Sequence, residues 1–119
     1  MEELIDKLDN LGFGKEKSIL KLLEPDEKIL MTCMISKFNR KNKRQERNLL
    51  ISTKAIYGMS KKTLKRKIPL GKVGGLTVSK MGTEFVLHVP DEYDYRYSST
   101  DSRDPVLEMI CKAYCDCTK

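Results

Sequence analysis

The chain contains no run of about 18 apolar residues, so no segment reads as a bilayer-spanning helix. Its first residues, Met1-Glu2-Glu3, lack the basic stretch and apolar run of a secretory signal, and a cytoplasmic setting is expected. There the four cysteines are expected as reduced thiols rather than a disulfide framework. Histidine is scarce: His88 is the only one, between apolar Leu87 and Val89, and the sequence names no acid–base partner for it. No nucleophile motif accompanies it. Cys111, Cys115 and Cys117 do not have a zinc spacing. Only two residues follow Cys117, so a C-terminal prenylation motif is not expected. Gly71-Lys72-Val73-Gly74-Gly75 lacks the spacing and the closing Lys-Ser/Thr pair of a phosphate loop, and reads as turn punctuation. These absences leave no candidate catalytic residue, metal site or cofactor. A binding module is expected, not an enzyme.

Acidic residues are scarce in one stretch. From Lys37 to Lys72 there are 13 basic residues and a single acid, Glu46, whereas the remainder of the chain is net acidic. The overall charge of +6 is therefore expected to be polarised, with one positive face that attracts phosphate-bearing partners. The 34% of charged residues exceeds the usual ~25% and must lie on the surface. A length of 119 residues suits one domain that buries roughly two-thirds of its unfolded surface.

Helical spacing of Leu4, Ile5, Leu8 and Leu11, with Gly12 as a stop, predicts a first helix, and Lys15 to Leu23 a second. Glu24-Pro25-Asp26-Glu27 reads as a turn. Seven strands are then predicted: Lys28–Lys37, Glu46–Ser52, Lys54–Met59, Thr63–Pro69, Leu76–Ser79, Glu84–Val89 and Asp91–Ser99. Tyr93, Tyr95 and Tyr97 alternate and should share one face, most simply in the core. Asp104 is a suitable N-cap and Pro105 a suitable first residue for a final helix. Val106, Leu107, Ile110, Tyr114 and Cys117 would form its apolar face. The fold class expected is α+β: a seven-stranded antiparallel barrel or sandwich capped by a C-terminal helix, with an extra N-terminal helical segment. The expected organisation is an extension over residues 1–23 and a domain over 24–119.

The stretch Lys37-Phe38-Asn39-Arg40-Lys41-Asn42-Lys43-Arg44-Gln45-Glu46-Arg47-Asn48-Leu49-Leu50-Ile51-Ser52-Thr53-Lys54-Ala55-Ile56-Tyr57 resembles the start of the class I myosin tail homology domain. Lys67-Ile68-Pro69-Leu70, Gly75-Leu76-Thr77-Val78-Ser79, Phe85-Val86-Leu87-His88-Val89-Pro90, Asp91-Glu92-Tyr93-Asp94-Tyr95 and Cys111-Lys112-Ala113-Tyr114 follow in the same order. The resemblance covers about residues 24 to 115 and implies a pleckstrin-homology-like fold that binds anionic phospholipids, phosphoinositides among them, and links a motor to membrane. It also implies a lysine late in strand one and an arginine early in strand two as lipid contacts, here matched by Lys37 and Arg47. Gln45 stands where that family often has a basic residue, with Arg44 one step out of register.

The candidate site is thus a basic hairpin carrying Lys37, Arg40, Lys41, Lys43, Arg44 and Arg47. Arginine grips phosphate bidentately and lysine acts as a point charge. Six such residues at ~1 kcal/mol each give at most ~6 kcal/mol, a Kd of roughly tens of micromolar. Lys61, Lys62, Lys65, Arg66 and Lys67 form a second cluster, which either widens the patch or guards an edge strand. The expected partners are anionic membrane lipids and a myosin motor or cytoskeletal protein, the chain acting as a monomer at the membrane periphery. A peptide-binding role at a sheet edge is the alternative. Nucleic acid is disfavoured, because the hairpin holds one aromatic residue, Phe38, where single-strand binders array several.

Overall fold

The computed structural model describes residues 9, 11–79, 82–92, 94–99 and 103–118. Seven strands form one antiparallel sheet: β1 (Ile29–Phe38), β2 (Arg44–Ser52), β3 (Ala55–Ser60), β4 (Thr63–Pro69), β5 (Gly75–Val78), β6 (Glu84–His88) and β7 (Tyr95–Ser98). Their order across the sheet is β4-β3-β2-β1-β7-β6-β5, so β4 and β5 are its two end strands. Consecutive strands pair as hairpins except β4 and β5, and the first and last strands, β1 and β7, join through Ser36–Ser98, Lys37–Tyr97 and Phe38–Arg96. Two short helices precede and one long helix follows: a 3-10 turn at Phe13–Lys15, α1 (Lys17–Leu20) and α2 (Arg103–Cys117). Another 3-10 turn, Leu70–Lys72, connects β4 to β5.

Seven strands and a closing helix match the fold class that the sequence predicts. Their bounds differ in physically readable ways. Arg44 and Gln45 extend β2, because the hairpin tip is tighter than its polar composition indicates. The seventh strand holds only Tyr95–Ser98, since residues 91 and 92 turn after Val89, the Glu92 N–H donating to Val89 O. The second predicted helix shrinks to Lys17–Leu20, flanked by turns. Most of the first, residues 4–11, lies outside the described residues; within them Asp9 bridges to Thr32 and Leu11 sits in a turn. Helix α2 begins at Arg103, so Asp104 and Pro105 lie in its first turn rather than opening it. Its buried face is Val106, Ile110 and Ala113, while Tyr114 and Cys117 are exposed. Small Ala113 lets the helix approach the sheet, a signal that a search for large apolar residues misses.

Period-two alternation divides the apolar side chains between two cores. Met31, Cys33 and Ile35 of β1 join Leu49, Ile51, Ile56, Ile68, Phe85, Leu87, Tyr95, Tyr97 and the inner face of α2 in the main one. The opposite face of β2 and β3 carries Leu50, Tyr57 and Met59, which pack with Phe13 and Ile19 of the N-terminal segment in a second core. Asp9 fastens that segment: its carboxylate accepts the Phe13 and Gly14 backbone N–H groups and the Thr32 hydroxyl, which itself accepts from Leu11. A methyl group on Gly74 would lie 2.7 Å from Pro90 Cγ, so only glycine lets the β4–β5 connection rest against that ring.

One carboxylate is buried at the seam between the second core and the β2–β3 turn. Glu27, 7% exposed, accepts from the Ser52 and Tyr57 hydroxyls and from the Glu24 backbone N–H. Burial pushes its pKa up, but these hydrogen bonds outweigh burial and hold it below the ordinary value of 4.5. The carboxylate therefore stabilises the fold fully above that value, and the contribution drains away as pH falls through the folded-state pKa. Glu27→Gln is expected to flatten the acid side of the thermal stability profile below about pH 4.5, checked by melting at a series of pH values. Ile19→Ala, at a fully buried position, is expected to cost about 2–5 kcal/mol in denaturant unfolding, with the N-terminal segment and the sheet melting together.

Candidate functional site

Strand pairing sets which way each cation of the hairpin points. Cys33 faces Leu49 across β1 and β2, and both belong to the main core. Two residues onward, Ile35 faces Arg47; two more, and Lys37 faces Gln45. Residues two apart on a strand share a face, so Lys37 and Arg47 project from the core side of the sheet, each just past the last apolar residue of its own strand on that face. They are diagonal neighbours across β1 and β2, and such diagonals lie roughly 7–8 Å apart. Lys37 Nζ stands 5.2 Å above the ring centroid of buried Tyr95, a favourable cation–π placement. Half-buried Arg47 donates to its neighbour's carbonyl, Glu46 O, at 2.8 Å and to Gln45 Oε1 at 3.2 Å.

Arg66 joins this face from the second cluster. The row Cys33–Leu49–Gly58–Arg66 runs across four strands, and Ile68, two residues after Arg66, is in the main core. The signal was in the sequence as an arginine two positions before an apolar residue, but it needs the β3–β4 register, shifted at Gly58/Met59, to be read.

Arg44 points the other way. It pairs with Phe38, and its Nε donates to Ser36 Oγ at 2.8 Å. The same outer face carries Arg96, whose guanidinium lies 4.3 Å above the Phe38 ring and which pairs with Glu84 and Asn42. The six hairpin cations are therefore divided: Lys37 and Arg47 on the core side, Arg44 on the outer side, and Arg40, Lys41 and Lys43 exposed at the tip.

The tip is a braced turn. Asn39 N–H donates to Lys43 O at 3.0 Å, and its side-chain Oδ1 accepts from the Lys41 and Lys43 backbone N–H groups, each at 2.9 Å. Asn42, with φ 61°, takes the left-handed position that asparagine tolerates better than most residues.

The remainder of the second cluster is less concentrated than its sequence indicates. Lys62 Nζ pairs with Glu16 of the N-terminal segment at 2.9 Å, and Lys67 Nζ lies 5.5 Å above the Tyr57 ring on the outer face. Lys61 holds the hairpin turn at φ 56°, its carbonyl accepting from Asn48 Nδ2. Lys65 is exposed. Elsewhere in the basic stretch, Lys54 is paired with Glu24 and Asp26, and Lys72 with Asp91. His88, for which the sequence offered no partner, has two: Asp94 Oδ1 at 3.0 Å from Nδ1 and Thr77 Oγ1 at 2.6 Å from Nε2. Neither was visible in the sequence, because Thr77 is brought to His88 by the β5–β6 pairing and Asp94 by the turn that follows β6.

A seven-stranded antiparallel sheet closed by one C-terminal helix, with cations gathered where the β1–β2 hairpin leaves the core, defines a pleckstrin-homology-like module. Solved structures agree. The carboxyl-terminal PH domain of pleckstrin aligns with a TM-score of 0.62 at 14% identity, over 72% of this chain and 96% of that one. The DH/PH domain of human ARHGEF11, solved with RhoA, aligns at 0.69 and 14%, over 97% of this chain and 38% of that one. The C-terminal domain of an unknown protein from Leishmania infantum gives 0.66 and 14%, over 89% and 99%. At such identities the likeness is one of fold. Residues 7–115 match the family described as unconventional myosin tail, actin- and lipid-binding, and the chain belongs to that family. Myosin heavy chain IB of Acanthamoeba castellanii is 27% identical over 96 residues, which are 74% of this chain and 8% of that protein. The chain thus spans a small part of that relative's length.

Asn39→Ala removes the acceptor of two tip amides. It is expected to cost about 1 kcal/mol and to speed hydrogen exchange at Lys41 and Lys43 while leaving core amides protected, read by NMR exchange.

Proposed function

We propose that this chain docks on anionic phospholipid at the membrane periphery, with Lys37 and Arg47 taking the headgroup phosphate and Arg66 flanking them. The observation that supports this reading is that Lys37, Arg47 and Arg66 share the core-side face of the sheet, Lys37 and Arg47 where β1 and β2 pass their last apolar residues on that face and Arg66 two residues before core Ile68 on β4. Arg40, Lys41 and Lys43 on the braced tip add longer-range attraction to an anionic surface, about 1 kcal/mol each at low salt. Arg47 exchanges its contacts with Glu46 O and Gln45 for phosphate oxygens, which accept the guanidinium fork in a bidentate geometry. Gln45, opposite Lys37, contributes an uncharged amide in place of a third cation, so recognition rests on charge and on two or three donors. The family's description as actin- and lipid-binding accords with this role, and recruitment of an attached motor or cytoskeletal partner to membrane follows from it. Among the described residues no helix is long and apolar enough to cross a membrane, which fits attachment at the surface.

The test is cosedimentation with phosphatidylcholine liposomes containing phosphatidylserine or a phosphoinositide at matched charge, with a nucleic-acid gel shift alongside. Lys37→Glu with Arg47→Glu is expected to lower anionic-liposome affinity by about tenfold or more, given ~1 kcal/mol per cation. Arg44→Glu, on the outer face, should lower it less. Equal sedimentation of the double variant and the parent protein would place the site elsewhere.

A further inference from the structure

The two end strands of the sheet are treated oppositely. An end strand presents unpaired backbone groups, and natural proteins commonly guard it with charged side chains, lysine above all. Strand β4 is guarded in this way by Lys65, Arg66 and Lys67. Strand β5, Gly75-Leu76-Thr77-Val78, carries no charge, and Val78 is 44% exposed. Among the described residues its only strand partner is β6. The Ser79 N–H donates inward to Glu84 O. By the alternation of an antiparallel ladder, Thr77 also turns inward, and the backbone groups of Leu76 and Val78 point out of the sheet.

An apolar groove of about 270 Å³ runs beside this open edge, between β5 and the last turns of α2. Val73 and Leu76 form one wall; Ile110, Cys111, Tyr114 and Cys115 form the other. Gly74, at one end of the groove, lies against Pro90 of the β6–β7 connection, which carries Asp91, paired with Lys72, Glu92, which accepts from the Tyr95 hydroxyl, and Asp94, paired with His88. Three carboxylates against one lysine make this end of the groove acidic, in contrast to the hairpin face.

We propose that β5 and this groove form a docking site for a short extended peptide segment of a partner protein. The segment pairs its backbone with Leu76 and Val78, seats one bulky apolar side chain in the groove, and carries a lysine or arginine toward the acidic loop. The chemistry of this edge fits that occupant better than a second copy of the chain. Four residues of open strand suit a short segment, and a net charge of +6 opposes self-association. Strand addition supplies affinity through main-chain hydrogen bonds, and the groove supplies selectivity. The site is separate from the proposed lipid contacts, so either can fail without the other.

The experiment pans a displayed library of random short peptides against the full chain and titrates the enriched sequences by NMR. The expected result is enrichment of an apolar residue with a nearby basic one, with shifts at Leu76, Val78 and Tyr114. Val78→Pro removes an outward N–H without touching the β6 ladder. It should weaken the selected peptide by about tenfold while liposome sedimentation is unchanged. Cys115→Phe fills the groove from an exposed helix position; it should weaken binding similarly, and decides the matter if the proline variant does not fold. No enrichment, shifts confined to Lys37–Arg47, or full affinity in the folded variants would overturn the proposal. So would concentration-dependent dimerisation that Val78→Pro abolishes, since that assigns the edge to a second copy.

Discussion

The register between β1 and β2 is the constraint on which the remaining structure depends. It places Cys33 against Leu49 and Ile35 against Arg47, and so decides which residues meet the core and which meet solvent. A slip of β2 by one residue against β1 would send Arg47 to the outer face, away from Lys37, and bring Arg44 inward. The same ladder therefore specifies the core and positions the cations. The aromatic floor beneath Lys37 is fixed with it, because Tyr97 pairs directly with Lys37 and its neighbour Tyr95 stacks at 6.3 Å.

The sheet is covered on both sides, which is less common for an antiparallel sheet than one dry and one wet face. Helix α2 closes the inner side, and the segment from Asp9 to Leu23 closes the outer side of β2 and β3. The second covering explains why Leu49, Leu50 and Ile51 run consecutively without alternation: each finds a core, on one side or the other. It also explains the buried Glu27, whose three hydrogen bonds close the junction between that covering and the sheet.

Much of the architecture was legible in the sequence because strand length, turn residues and alternation are local properties. Thr63–Pro69 coincides with its predicted span, β1 and β3 are displaced from theirs by one residue at both ends, and β2 starts two residues early. What escaped was non-local. Whether Arg44 shares a face with Arg47 depends on a three-residue offset across the period of two, and on where the turn ends. The braced tip depended on Asn39 reaching two amides, which no propensity reports. Arg66 was visible only as one cation among five, since its direction follows from pairing with Gly58 across a bulge. The short helix α1 shows the converse: Lys15 to Leu23 has helical composition, but Phe13, Ile19, Leu22 and Leu23 are drawn onto the sheet, and tertiary contact overrode propensity.

The Asn39 brace has a thermodynamic consequence. Ordering a loop around a ligand costs on the order of 1–2 kcal/mol per backbone residue, and a hairpin tip that was floppy until contact would forfeit most of the attraction its charges provide. Here the main chain from Asn39 to Lys43 adopts its shape when the protein folds, through hydrogen bonds that are present without any ligand. Only the side-chain freedom of Arg40, Lys41 and Lys43 is left to be lost on arrival at a charged surface, so a weak electrostatic encounter is not cancelled by the entropy of its own backbone.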